Sequence, residues 1–203
     1  MKKKQIVYEN TACVSGKALD NPELVHLTTS GNEIYEVIVE VQRKSGIFDQ
    51  VRVRFRDEVV KPEEISRMKG RYLFLFGSVR SVSYHVSGKH HLHLFFWAEK
   101  ISFGRKEQDD NMFRFTGFIV KKKFRNTPSG IAITDLMVAY NRVNGVSDYI
   151  PCIAWGRDAY YAENLVIGDK VDVLGRMQSR IYWKDDNQMK AYEISIQQIE
   201  KAG

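Results

Sequence analysis

Aromatic and basic side chains are interleaved along several strand-like segments of this chain. The second half has the rings Trp155, Tyr149, Tyr182 and Trp183 among the cations Arg142, Arg157, Arg176, Arg180 and Lys184. The first half has Phe48, Phe55 and Tyr84 among Arg43, Lys44, Arg52, Arg54, Arg56 and Arg80. Unpaired nucleic acid bound without sequence preference needs flat rings for its bases and cations for its phosphates. The pattern therefore indicates such a groove, whereas the plainer alternative places the rings in a core and the arginines in ion pairs.

Two runs of lysine add to this positive charge. The run at residues 2–4 is interpreted as a solubilising terminus. The other run follows the first predicted strand of the second half and consists of Lys121, Lys122, Lys123 and Arg125. A run of charge is usually a solvated face, but four cations within five positions also suit contact with a phosphate backbone. Both interpretations stay open for this second run.

No set of residues in the sequence predicts catalysis, a metal site or a cofactor. Adjacent acidic residues lie in predicted loops and helix starts, and no glycine-rich phosphate loop is followed by Lys-Ser/Thr. His91 and His93 share one face of a predicted strand without an acid or cysteine at ligand spacing, which indicates a polar strand edge. Cys13 and Cys152 lie in apolar segments of different halves and are interpreted as free thiols. The sequence therefore predicts that the protein is not an enzyme.

Composition is that of an ordinary globular protein with a modest basic excess. The 203 residues carry a net charge of +6, and 43% of them are hydrophobic. The excess is compatible with a polyanionic partner without requiring one. No apolar segment approaches the roughly 20 residues that span a membrane. We therefore expect a cytoplasmic protein that does not engage a membrane.

The sequence repeats itself at a nearly constant spacing. Gly117 repeats Gly16 after 101 residues (117 − 16), and Gly175 repeats Gly77 after 98 residues (175 − 77). A charged segment without hydrophobic residues, 104–110, separates the two copies. Such a segment is typical of a domain boundary. The repeat predicts two domains of related structure, 1–104 and 105–203.

The pattern of hydrophobic residues predicts mostly strands. These are 37–41, 51–55 and 72–76 in the first half, and 136–139, 149–155 and 170–174 in the second. One helix is predicted in each half, over 62–68 and over 158–165, with Asp158 as a possible N-cap of the second. When the segments that open the two halves at Gly16 and Gly117 are counted as first strands, each helix falls between the third and fourth strands.

Five strands with one short helix between strands 3 and 4 are the plan of the oligonucleotide/oligosaccharide-binding barrel, the OB-fold. The predicted fold class is therefore all-β, with two tandem five-stranded OB-fold barrels. The glycines of the repeat, Gly16, Gly77, Gly117 and Gly175, are candidates for the bends that close such a barrel. An open sandwich with the same glycines is the alternative.

The second half resembles the bacterial single-stranded DNA-binding protein family. The resemblance is carried by residues 127–130 (TPSG), 136–142 (LMVAYNR), 149–157 (YIPCIAWGR), 162–165 (AENL) and 168–180 (GDKVDVLGRMQSR), followed by Tyr182. These segments keep the order and spacing of the family over nearly all of residues 111–200. The first half shows a weaker version of the pattern at Ser30, Gly31, Arg43, Gly70, Gly77 and Tyr84.

The resemblance implies roles for individual residues. Trp155, Tyr149 and Tyr182 match positions at which the family stacks bases on aromatic rings. In the first half Gln50 and Arg56 occupy the positions of Tyr149 and Trp155, so that half is expected to bind through phosphates or to hold the assembly together. The candidate nucleic-acid-binding residues are Trp155, Tyr149, Tyr182, Arg142, Arg157, Arg176, Arg180, Lys121, Lys122, Lys123, Arg125, Arg43, Arg54, Arg56, Arg80 and Tyr84.

The resemblance also implies sequence-independent binding of single-stranded DNA in replication, recombination or repair. Members of the family generally present four barrels in one assembly, so two barrels in one chain predict a homodimer. The family commonly ends in an acidic tail that recruits replication proteins. This sequence ends in QQIEKAG directly after its last predicted strand, which makes recruitment by such a tail doubtful.

Other functions stay open at the level of sequence. One is another nucleic-acid role, either RNA binding or that of a primosome accessory similar to the single-barrel primosomal relatives. A protein-interaction adaptor that has kept the barrels and lost DNA binding is a further alternative. The missing rings at Gln50 and Arg56 are its best support.

Overall fold

The computed structural model describes residues 9–86, 88–105, 109–184 and 187–203. Within these ranges, only the backbone is described for Lys89, His90, Tyr182, Trp183, Lys184 and Asn187. The lysine run at residues 2–4 lies outside the described residues. No described helix combines the length and the apolar character that crossing a membrane requires.

The described chain is mostly strand, which confirms the all-β expectation. The first half contains β1 (Asn10–Ala18), β2 (Glu23–Leu27), β3 (Glu33–Gln42), β4 (Phe48–Arg56), a 3₁₀ turn (Asp57–Val59), α1 (Pro62–Ile65), β5 (Tyr72–Val86) and β6 (Lys89–Gly104). The second half contains β7 (Asn111–Asn126), β8 (Ala132–Asn141), β9 (Ser147–Trp155), α2 (Arg157–Asn164), β10 (Lys170–Lys184) and β11 (Asn187–Lys201).

Three elements differ from the sequence-based expectation. β2 was not predicted, and α1 is one turn, shorter than the predicted 62–68, because the chain turns at Met68 and Gly70 to enter β5. Asp158 lies in the first turn of α2 and is not its N-cap, because Gly156, with φ 57°, occupies that position. A positive φ suits glycine, which has no Cβ. Sequence reasoning placed the cap two residues too late.

The strand pairings form a circuit in each half. In the first half β1 pairs with β3 and β5, β3 pairs with β4, β4 pairs in parallel with β6, and β6 pairs with β5. In the second half β7 pairs with β8 and β10, β8 pairs with β9, β9 pairs in parallel with β11, and β11 pairs with β10. β2 pairs with β3 as an additional strand. Each circuit returns to its first strand, so its inward side chains share one interior.

Close backbone contacts explain two of the repeated glycines. A Cβ on Gly175 would lie 2.5 Å from the carbonyl oxygen of Ser195, at the register shift between β10 and β11. A Cβ on Gly77 would overlap the carbonyl oxygen of Trp97, at the matching shift between β5 and β6. Only glycine allows neighbouring strands to approach this closely.

β1 and β7 join the two halves around an approximate twofold axis. They pair antiparallel, with Ala12 opposite Phe113. On one side of this pair Ser15 N donates to the carbonyl of Asp110 at 2.8 Å, and on the other side Thr116 N donates to the carbonyl of Glu9 at 2.8 Å. These contacts involve equivalent residues of the two copies, so the halves are related by about half a turn.

The core runs through both halves and through their junction. Phe113 and Phe115 of β7 and Phe55 and Phe96 of the first half are fully buried. The rings of Phe96 and Phe113 meet edge to face with centroids 5.9 Å apart. Phe55 is therefore a core residue and not a groove residue, because its position on β4 points it into the interior beside Tyr35.

Candidate nucleic-acid interface

β9 presents two aromatic rings on its outer face. Ile150, Cys152 and Ala154 point inward and are buried, because alternate residues of a strand point to opposite faces. Tyr149 and Trp155 belong to the other set, and their exposed fractions are 43% and 41%. Both rings are thus available to a partner in solution.

The pairing of β7, β8 and β9 brings three cations to the same face as these rings. Arg125 lies opposite Ile133, which lies opposite Trp155. By the same register Lys121 and Lys123 lie on this face two strands away from β9, and both are exposed. Arg125 is bound to the carboxylate of Asp135 at 2.7 Å, and both side chains remain accessible.

Lys122 lies on the opposite side of β7 from its two neighbours. Its ammonium donates to the backbone carbonyls of Glu163 and Leu165 at the end of α2. Those carbonyls lack partners within the helix, and a cation suits the negative end of a helix dipole. The structure therefore gives Lys122 a capping role, although it lines the same depression as Lys121 and Lys123.

β10 completes the cationic side of the face. Lys121, Lys123 and Arg180 line one open depression of about 520 Å³, together with Pro151 and Glu193. Arg180 bonds the carboxylate of Glu193 at 3.2 Å, and its own side chain is 56% exposed. The backbone of Tyr182 lies on β10 opposite Met189, and its side chain lies outside the described residues.

Arg142 and Arg157 have different surroundings. Arg142 makes two hydrogen bonds to Asp148, whose carboxylate is fully buried. Hydrogen bonding to this carboxylate raises the pKa of Arg142. Arg157 follows Trp155 by two residues, and its side chain is 96% exposed, 3.8 Å from Asp158. Arg142 is held in place, whereas Arg157 is free to reach a ligand.

Arg176 is taken up by the contact between the halves. Its guanidinium donates to the carboxylate of Asp49 of β4 at 2.8 Å, and the same carboxylate accepts a hydrogen bond from Arg43. On the other side of the axis the carboxylate of Asp148 accepts hydrogen bonds from Arg142 and from the backbone N–H of Ser81, both at 2.6 Å. Arg43 and Arg176 therefore belong to a buried network that joins the two copies.

The remaining candidates of the first half lie on its outer face. Arg54 bonds Glu36 at 2.6 Å and covers the ring of Phe95 with its guanidinium 4.6 Å from the centroid. Tyr84 bonds the Nε2 of His93 at 2.6 Å and stacks on His91 at 5.4 Å. Burial lowers the pKa of His93. This face carries cations, but Tyr84 is already engaged by its neighbours.

Sequence reasoning missed the largest ring of the first-half face. Trp97 of β6 is half-buried, and the guanidinium carbons of Arg80 and Arg56 lie 4.7 and 5.9 Å from its ring centroid. The signal was present, because His91, His93, Phe95 and Trp97 alternate along one face of a strand.

Comparison with known proteins agrees with this geometry. Residues 111–202 match the model of the single-strand binding protein family. The wild-type single-stranded DNA binding protein from Thermus aquaticus superposes with a TM-score of 0.78 at 19% identity, over 98% of this chain and 95% of that chain. A deletion mutant of the same protein gives a TM-score of 0.75 at 18% identity, over 96% and 95%. These two likenesses establish the fold. No curated protein matches the sequence.

Proposed function

We propose that this chain, whose residues 111–202 match the model of the single-strand binding protein family, binds single-stranded DNA without sequence preference by stacking bases on Trp155 and Tyr149. The observation that carries the proposal is the exposure of both rings on one face of β9. A ring that is buried on one side and open on the other offers a platform to any base, since every base has a flat face.

In this proposal the cations around these rings bind the phosphates of the DNA. Lys121, Lys123 and Arg180 line one depression on the same face, and Arg157 extends from the end of β9. Arg125 contributes once it leaves Asp135. Tyr182, whose backbone lies on β10 two residues after Arg180, is the third stacking residue in this proposal. Lys122, Arg43 and Arg176 stabilise the structure in this proposal and do not contact DNA.

Each circuit of strands is proposed to be one five-stranded OB-fold barrel, in domains 1–104 and 105–203. In the second half α2 lies between the third and fourth strands of the circuit. In the first half α1 has the same place once β2 is treated as an insertion between strands of the barrel. The first barrel binds mainly through Arg54, Arg56 and Arg80.

Two chains are proposed to form a homodimer with four barrels. The support is an uncovered face at the approximate twofold axis, where Cys13 of β1 lies between Phe76 of β5 and Met112 of β7 in the strand register. Phe76 is 43% exposed and Met112 is 49% exposed. Depressions flank this face symmetrically, one lined by Cys13, Phe74, Phe76 and Lys100 and the other by their equivalents Arg114, Asp172, Leu174 and Gln198. Sedimentation equilibrium tests this, and a mass near the 23.5 kDa of one chain would exclude the dimer.

Competition tests the proposed ligand. Labelled oligo-dT bound to the protein is challenged with unlabelled single-stranded DNA, duplex DNA or single-stranded RNA of equal length. We expect single-stranded DNA to displace the label at the lowest concentration. Equal displacement by duplex would reduce the function to general polyanion binding, and stronger displacement by RNA would change the ligand. The proposed role in replication, recombination or repair, in the cytoplasm, rests on the match of residues 111–202 to the family.

A further inference from the structure

The first half has an aromatic side chain on its outer face where the second half has none. Trp97 on β6 is equivalent to Ser195 on β11, since Ala98 and Ile196 occupy matching positions opposite Gly77 and Gly175. Trp97 lies beside Arg54 of β4 and opposite Ser78 of β5. It therefore stands in the middle of the face to which the arginines of β4 belong.

The contacts of Trp97 are ones that a base can replace. Arg80 and Arg56 lie over or beside the ring, at 4.7 and 5.9 Å from its centroid. Arg56 also bonds Glu58 at the surface, at 3.2 Å. The contact of the exposed Arg56 with the ring is weaker than the stacking of a base on that ring. Displacement by a base would leave either guanidinium free for a phosphate.

Arg54 and Arg56 are paired with Glu36 and Glu58, but two other arginines of this face lack a full set of partners within the described protein. No described carboxylate lies within 4.0 Å of a nitrogen of Arg80, and burial together with nearby Arg142 lowers the pKa of Arg80. The Nε atom of Arg52 is buried without a hydrogen-bond acceptor, although Glu36 lies 3.4 Å away. An anion laid across the face would pair with Arg80, because a buried charge is stable only when it is paired.

The outer faces of the two halves meet at β5. The backbone N–H of Tyr149 donates to the hydroxyl of Ser81 at 2.8 Å. Ser81 directly follows Arg80, and Arg80 contacts Trp97. Tyr149 of β9 and Trp97 of β6 therefore both lie next to β5, which a DNA strand bound to both rings would cross.

We propose that Trp97 stacks a base and that one DNA strand runs from Trp155 and Tyr149 across β5 to Trp97, with Arg80 and Arg56 on its phosphates. This inference rests on the proposed function of the second half. The ring that the first half lacks on β4, where Arg56 replaces Trp155, is supplied instead by β6.

Tryptophan emission separates the two surfaces, because the chain has 3 tryptophans, Trp97, Trp155 and Trp183. A Trp155→Phe/Trp183→Phe protein reports on Trp97 alone and keeps a ring at position 155. We expect saturating oligo-dT to quench its emission. Binding is followed in the same sample by the anisotropy of a label on the oligonucleotide. Binding with unchanged Trp97 emission would overturn the inference and leave the proposed function standing, whereas absence of binding at every length would remove both.

The length of the oligonucleotide provides a second test. One barrel of this kind covers about 4–16 nucleotides, so a strand of about 10 nucleotides occupies the second half and one of about 30 reaches the first. Trp97→Ala is expected to weaken binding of the longer strand at least about fivefold and to leave the shorter one unchanged. Trp97→Phe keeps a ring and should restore binding. Equal loss for both lengths, or no loss for either, would overturn the inference.

A matched control checks that the loss is local. Tyr161 of α2 is 42% exposed and lies outside the proposed path. Tyr161→Ala should bind both lengths as the unchanged protein does. Thermal unfolding of each variant shows whether it is folded. If Trp97→Ala does not fold, the comparison of the two strand lengths is made with Trp97→Phe instead.

Discussion

Ala12 of β1 lies directly opposite Phe113 of β7, and the two residues occupy the same position in the two copies of the repeat. The approximate twofold axis passes through this pair. Each strand of the first half except β2 therefore has a counterpart in the second half that faces the junction in the same way. A difference in side chain at equivalent positions, such as Trp155 against Arg56, is a difference in what the two surfaces can bind.

Removal of either ring on β9 should weaken DNA binding. Stacking contributes roughly 1–3 kcal/mol per base, so Trp155→Ala and Tyr149→Ala should each raise the dissociation constant for oligo-dT by roughly 5- to 150-fold. Fluorescence anisotropy at fixed salt measures the change. Tyr161→Ala, which removes a ring with a similar exposed fraction from α2, should have no effect. Unchanged affinity in both β9 variants would reject stacking on this strand.

The three consecutive lysines of β7 should behave differently from one another. Lys121 and Lys123 lie on the outer face, whereas Lys122 bonds the carbonyls of Glu163 and Leu165. Alanine at 121 or 123 should reduce the slope of log affinity against log salt by about 0.7, because one fewer counterion is released from a single strand. Alanine at 122 should leave the slope unchanged and lower the unfolding temperature. A smaller slope for Lys122→Ala than for the other two would contradict the assigned faces.

The sequence predicts the residues of this surface whose positions follow from a local pattern, and it does not predict those that depend on the packing of distant strands. Alternation along β9 and the resemblance of the second half placed Trp155 and Tyr149 correctly on one strand. Strand lengths beyond residues 76 and 174 were missed, because the ends of β5 and β10 are polar and are held by their hairpin partners β6 and β11. Local pattern does not reveal such pairing.

The partners of the arginines could not be predicted either. Arg176 bonds Asp49, a residue 127 positions away in the sequence. Lys122 bonds two carbonyls, of Glu163 and Leu165, that lie 41 and 43 positions away in the sequence. Sequence gives the charge of such residues, but only the packing of the two halves decides which cations remain open to a ligand. Trp97 was missed for the same reason, since its arginines come from β4 and β5.

Asp148 should be essential for stability. Its carboxylate is fully buried, and it accepts hydrogen bonds from Arg142 and from the backbone of Ser81 in the other half. Asp148→Ala leaves a buried guanidinium and a backbone N–H without their partner, which should lower the free energy of unfolding by about 3 kcal/mol. Urea unfolding followed by circular dichroism measures this. Asp20→Ala removes an exposed partner of Lys69 and should cost less than about 0.5 kcal/mol. Similar losses in both variants would contradict the role of the network.

Tyr72 should make the protein sensitive to alkaline pH. Burial, with a hydrogen bond to Asp109 at 2.6 Å, raises the pKa of Tyr72 to about 12. The unfolded chain releases this proton near pH 10 and the folded chain only near pH 12, so the contribution to stability is complete below pH 10 and is lost between these values. Tyr72→Phe has no such proton, and its stability should fall less steeply over this interval. Parallel curves for the two proteins would contradict the assignment.

The emission of Trp155 tests the central claim most directly. In a Trp97→Phe/Trp183→Phe protein Trp155 is the one remaining tryptophan of the 3 in the sequence. Oligo-dT should quench its emission in a saturable titration, and added salt should reverse the quenching as phosphate contacts are lost. Emission that stays constant while a labelled oligonucleotide is seen to bind would show that the DNA lies elsewhere and would contradict the account.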